Sequence, residues 1–246
     1  RPSPCGGVPG REQWTDEPEA EAMAMSTDTA NDPGIEVRSY FPTPVVVAQV
    51  PLAEDGNARL RDLILQREKD HPGVTHSNLM GWQSADDFTQ WGGPEGEKVL
   101  GFAKVLADRL AGDRAGNRVA VDWFVNAWAN VNRRGHANDA HAHPGSVFSG
   151  CYYVDDGGCG ADPALGGAFQ INDPRGIAPA MYAPELAVAL TGCQTAGGCE
   201  LIPPNTGQML LFPAWLAHGV RPYLGDGTRI SIGFNFSIPM AGAGGS

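Results

Sequence analysis

The 246-residue chain has no apolar run near the roughly 20 residues needed to span a bilayer, and no basic segment leading into an apolar stretch at its start. Neither absence suggests a membrane partner, and a cytoplasmic protein is the expectation. Charge is also scarce: 18% of residues are charged, and the formal net charge is −11. Such a surface repels a phosphate backbone, so nucleic acid is excluded as an expected partner. The first 34 residues account for −5 of that charge, seven acids against two arginines, and the remainder for −6. The five cysteines, Cys5, Cys151, Cys159, Cys193 and Cys199, contain no Cys-x-x-Cys pair, which argues against a thiolate zinc site. Reduced thiols are expected, with a Cys193–Cys199 disulfide across a Gly-rich loop as the open alternative.

Glycine (33) and proline (20) are plentiful, and turn signals divide the chain into many short apolar runs, which favours β architecture over a helical bundle. Residues 1–34 lack apolar periodicity and predict a flexible acidic leader, with Met23 or Met25 as a candidate start. Residues 35–246 predict one domain. Thr43–Val50 predicts a first strand, and Asn57–Lys69 a helix capped by Asn57. Pro94–Leu110 predicts a second helix with a stripe of Val99, Phe102, Ala103, Leu106 and Leu110. From Val119 the period changes to two. Strands are expected at Val121–Asn132, Val147–Val154, Gly167–Ile171, Glu200–Ile202, Gln208–Phe212, His218–Tyr223 and Arg229–Ile238. About eight strands after two helices, with polar residues recurring on one face, predict a mainly β jelly roll with a ligand in its mouth.

His141 and His143 lie two residues apart, so on an extended chain their imidazoles point the same way. His218 follows 75 residues after His143. Three such histidines can hold a five- or six-coordinate metal and leave adjacent positions open. His71, His76 and His136 sit in polar or Gly/Asn-rich segments and are expected at the surface. Leu224–Thr228, with Asp226-Gly227, predicts a hairpin that returns the strand after His218 onto the strand at Arg229. On that strand Arg229, Ser231, Gly233, Asn235 and Ser237 share one face, and Ile230, Ile232, Phe234, Phe236 and Ile238 the other. An arginine on an inward polar face requires an anion, either a ligand carboxylate or one of the chain's own aspartates. Strand parity also turns Asn126, Trp128, Asn130, Tyr153 and Asn235 toward the same pocket, with ordinary core packing as the competing expectation for Trp128 and Tyr153.

Together, His141-Ala142-His143-Pro144-Gly145, Ser149–Val154, Asp173-Pro174-Arg175, Leu211–His218 and Arg229–Asn235 resemble the Fe(II)- and 2-oxoglutarate-dependent oxygenases of the double-stranded β-helix fold, more narrowly a bacterial and phage subfamily. The resemblance spans roughly residues 35–239. It implies Fe(II), 2-oxoglutarate as co-substrate and O2. It also implies His141 and His218 as ligands and Arg229 and Ser231 as the anchor for the far carboxylate; Asn130 and Asn235, turned inward by strand parity, are expected beside that anchor. Such enzymes oxidise a C–H bond of a small molecule or peptide side chain and release succinate and CO2. Oligomeric state is left open, a homodimer included. The chain departs from the family at His143, where a carboxylate is usual. Three arrangements follow: a three-histidine triad; His143 as proximal ligand with Gly145 at the carboxylate position and chloride beside it, as in related halogenases; or recruitment of Asp139. Two further classes compete, a three-histidine cupin dioxygenase that uses no keto acid and a non-catalytic jelly-roll binding module.

Overall fold

A computed structural model describes residues 41–176 and 198–239. The chain divides into two units, Arg1–Pro44 and Val45–Ser246, and the second carries all the strands and helices given below. The expected leader over residues 1–34 lies outside the described residues. So does Cys193, although Cys199 is disulfide-bonded, while Cys151 and Cys159 are free thiols.

The fold is mainly β, with two antiparallel sheets. The larger sheet contains β1 (Val46–Gln49), β3 (Trp82–Gln83), β4 (Phe124–Asn132), β6 (Phe148–Asp155), β9 (Gln208–Pro213) and β11 (Arg229–Ser237). Its spatial order is β1-β9-β6-β11-β4-β3. The smaller sheet orders β2 (Asn78–Leu79), β5 (Ala137–His141), β10 (His218–Val220), β7 (Phe169–Asn172) and β8 (Cys199–Ile202) as β2-β5-β10-β7-β8. From β4 to β11 successive strands switch sheets except at β7 and β8, which pair within the smaller sheet, the pattern of a double-stranded β-helix.

Period two explains how the larger sheet is covered. Ile230, Ile232, Phe234 and Phe236 of β11 and Ala127, Ala129 and Val131 of β4 form one apolar face, as expected from alternation. They pack in one cluster with Leu60 and Ile64 of α1 (Gly56–Asp70) and with Val99, Ala103 and Ala107 of α3 (Gly93–Leu110). Each fully buried aliphatic or aromatic side chain contributes about 1.5–3 kcal/mol relative to exposure. A short helix, α2 (Phe88–Trp91), adds Phe88 to the same cluster. A second cluster of Tyr153, Phe169, Leu210, Phe212 and Leu216 joins β6 and β9 of the larger sheet to β7 of the smaller.

Three sequence expectations change. Helix α1 begins at Gly56 with Asp55 at the cap position, where the Asp55 carboxylate is ion-paired with Arg59. Asn57 instead lies inside the helix, and its Oδ1 accepts the Tyr152 hydroxyl at 2.6 Å. On α3, Leu110 is the last residue and stays 40% exposed, while Ala107 fills the buried stripe. The hairpin at Leu224–Thr228 is a crossover: β10 and β11 belong to different sheets. Neither Gly225 nor Gly227 takes a positive φ, so the tight turn that Asp-Gly favours is absent. Tyr223 is held instead by His136, whose carbonyl accepts its amide at 2.9 Å, and by a bridge to Gly166. The chain is thereby aimed across to the larger sheet.

Candidate active site

His141 ends β5, His218 begins β10, and the two are direct register partners in an antiparallel pair. Such partners hold their Cβ atoms about 4.5–5.5 Å apart, which brings together two imidazoles far apart in sequence. His143 lies beyond the end of β5 rather than on it. Its amide donates to the Ala214 carbonyl at 2.9 Å, and the chain then turns through Gly145 at φ 91°. One ring nitrogen from each of the three histidines lies within 4.8 Å of the others.

Two tautomers follow from hydrogen bonds, because a carbonyl can only accept. His141 Nδ1 is 2.7 Å from the Asp139 carbonyl and His218 Nδ1 is 2.8 Å from the Leu216 carbonyl. Each Nδ1 therefore carries the proton and leaves the Nε2 lone pair free. His143 Nδ1 meets the Asn235 amide at 3.4 Å, and Asn235 in turn bonds Ser149 Oγ at 2.7 Å. Burial, with a smaller contribution from His141, lowers His143 to about 4. Burial likewise lowers His218 to about 3. Both are neutral near pH 7, the form a metal ion requires.

The histidines share a cavity of about 460 Å³ with Arg229, Ser231, Gly233 and Asn235 of β11. Ser231 lies directly between Asn130 of β4 and Tyr153 of β6. Gly233 lies between Trp128 and Cys151, and a Cβ there would come within 2.5 Å of the Trp128 ring. Glycine is what allows the indole to lie across the strand. Arg229 is 1% exposed, and its guanidinium stacks over Tyr153 at 5.1 Å. Among the described residues no carboxylate pairs with it, so the aspartate alternative is not realised there. Among the described residues its Nε, the Tyr153 hydroxyl and Asn130 Oδ1 are all buried without a hydrogen-bond partner. Burial raises the Tyr153 hydroxyl well above its ordinary value, which keeps it a neutral donor. Orphaned buried groups normally acquire partners, and a cation with neighbouring donors fits a carboxylate.

Residues 126–235 match the family described as "Putative 2OG-Fe(II) oxygenase". Over that stretch, less than half of the chain, the sequence is similar to this family. No curated protein sequence matches it. Among solved structures, a Pseudomonas putida prolyl-4-hydroxylase is 12% identical with a TM-score of 0.54, over 80% of this chain and 93% of that one. A prolyl hydroxylase from Trichoplax adhaerens is 14% identical at 0.53, covering 79% and 83%. The carbocyclase SnoK of nogalamycin biosynthesis is 14% identical at 0.55, covering 79% of each chain. At these identities the likeness is one of fold.

The three histidines fit a divalent metal: neutral rings, free Nε2 atoms on two of them, and donors within reach of one ion. Asp139 does not join them. Its side chain is exposed, and its carbonyl is what orients His141. Trp128 and Tyr153, for which core packing competed, line the cavity. His71 is exposed as expected, and His136 is partly buried. His76 is exposed too, but at the cavity rim, together with Gln83 and Asp86. These rim residues gave no sequence signal, since the segment around Trp82–Gln83 is too short for a period. The one available cue was position, a polar stretch between two helices.

Proposed function

We propose that the protein is an Fe(II)- and 2-oxoglutarate-dependent oxygenase that hydroxylates an unactivated C–H bond of a small molecule or peptide side chain. The observation that carries this reading is Arg229: a buried guanidinium without a carboxylate partner among the described residues, in the cavity that also holds the three histidines. His141, His143 and His218 are the proposed metal ligands. Arg229 and Ser231 receive the far carboxylate of 2-oxoglutarate, with the Tyr153 hydroxyl as a further donor. Asn130, opposite Ser231, offers its amide to the same region, whereas Asn235 steadies His143.

When bound, the metal supplies O2 activation coupled to decarboxylation: 2-oxoglutarate, O2 and R–H give succinate, CO2 and R–OH, with one oxygen atom in each oxidised product. The chain's own contribution is orientation and exclusion of water. The Asp139 and Leu216 carbonyls fix the ligand tautomers. Phe169 and Phe212 pack against His218, with ring centroids at 5.2 and 4.7 Å. Burial holds the Cys151 thiol, pushed up to about 11, in its neutral form. A dioxygenase that binds its organic substrate directly has no use for a buried cation at 229. The halogenase arrangement uses one proximal imidazole and a chloride, whereas both His141 and His143 lie within reach of one ion with His218.

Anaerobic titration of the metal-free protein with Fe(II) and then 2-oxoglutarate tests the reading. A visible charge-transfer band and succinate on admitting air are expected, and absence of both would overturn it.

A further inference from the structure

The rim of the same cavity points to the charge of the substrate, an inference that rests on the oxygenase reading above. Among the described residues lining the cavity, only Arg229 and Asp86 carry a fixed charge. They are unlike in setting: Arg229 is buried, and Asp86 is exposed. With Arg229 taken by the co-substrate, the fixed charge that remains for a second molecule is negative.

Asp86 is held in place by its neighbours. Gln83 pairs with Asn130 of β4. The Ser84 amide donates to the Ala129 carbonyl at 2.9 Å, and Ser84 Oγ accepts the Ala129 amide at 3.0 Å. Asp87 bridges Ala127 and is ion-paired with Arg67 at 2.8 Å. Residues on both sides of Asp86 are therefore fastened to β4. Its carboxylate accepts one hydrogen bond among the described residues, from Asn126 Nδ2 at 3.2 Å, and no cation pairs with it there. A carboxylate accommodates several donors, so acceptor capacity remains. Asn126 and Trp128 share a face of β4, and Trp128 lines the same cavity as Asp86, so an indole and the acid border one space. An aromatic ring and a carboxylate together favour a cation over a neutral group of the same shape.

We infer that the oxygenase takes a substrate bearing a cationic nitrogen group, an amine or guanidinium, received at the rim by Asp86 and Trp128. The group can come from a free small molecule or from a basic side chain of a peptide.

The test is binding, measured by calorimetry at pH 8. The probes are butylguanidine and N-acetyl-arginine methylamide, each against its neutral ureido counterpart, with and without 2-oxoglutarate on the Fe(II)-loaded full-length protein under anaerobic conditions. A preference of about tenfold for the guanidinium is expected, given an exposed acid and one ring. Asp86→Asn should erase the preference and Asp86→Glu restore most of it. The stronger of butylguanidine and the arginine amide identifies the source. Equal binding of charged and ureido probes, no binding of either, or a preference that survives Asp86→Asn overturns the inference. Binding of 2-oxoglutarate without probe is read in the same experiment, so a protein that binds co-substrate but ignores charge sinks the Asp86 assignment alone. One that binds no 2-oxoglutarate sinks the oxygenase reading.

Discussion

The two faces of β11 are almost equally buried, Arg229 through Asn235 as fully as Ile230 through Phe236, yet they differ in nearly every chemical respect. One face carries Ile230, Ile232, Phe234 and Phe236, which are satisfied by the helices packed on them. The other carries Arg229, Ser231, Gly233 and Asn235, beside polar atoms on this and the neighbouring strands that have no partner. Burial alone therefore does not separate core from site. What separates them is whether the buried groups are already satisfied, because an orphaned donor costs stability unless a ligand completes it.

Arg229→Met breaks this contrast most strongly, by making the cavity face resemble its opposite. Binding of 2-oxoglutarate should weaken by more than about 100-fold, since a bidentate charge-assisted contact is lost. The ligand-free protein should melt at the same temperature or higher, because an unpaired buried cation has been replaced by an apolar chain of similar volume. Calorimetric affinity and a thermal melt without ligand check both signs, and a variant that binds normally or melts well below the parent contradicts them.

Acid sharpens the contrast next, through the histidines that face the same cavity. His143 and His218 have folded values of about 4 and about 3, below the unfolded value near 6.5. The unfolded chain therefore binds more protons between those limits, so the stability of the metal-free protein falls as pH drops below about 6.5. The loss due to His143 stops growing below about 4, and that due to His218 below about 3. Denaturant midpoints at pH 7, 5.5 and 4.5 test this, above most of the carboxylate titration, and a flat profile contradicts it. The smallest effect is expected from Gly233→Ala. The added Cβ would press on the Trp128 ring at 2.5 Å, and overpacking of this kind costs about 1–3 kcal/mol. A denaturant melt reads the cost, and indole fluorescence reads the displaced ring.

How much of this was legible in the sequence depended on length. In β4 and β11, nine residues each, period two runs long enough to turn Trp128, Asn130 and Asn235 to the cavity, although Asn126, expected with them, does not line it. The three histidines were legible as a set because their motifs sit at strand ends. By contrast, β2 and β3 are two residues each, too short to show any period, so the rim with Gln83 and Asp86 was invisible. The Asp226-Gly227 pair misled for another reason: local turn preference favoured a hairpin, while the long-range anchoring of Tyr223 decided the crossover. His143 was read on a strand that ends at His141, because a backbone bond to Ala214 replaces the strand ladder there.

β11 also has a history that its finished surroundings conceal. It sits between β4 and β6, both of which leave the ribosome well before it. Synthesis at about 5–20 residues per second leaves those strands without their shared partner for seconds. Throughout that wait each offers an open edge, the feature that recruits neighbouring chains. The strand that brings Arg229 to the cavity is thus also the one that closes the sheet. A chain cut short before residue 229 would lack the buried cation of its cavity and be prone to stick to its siblings.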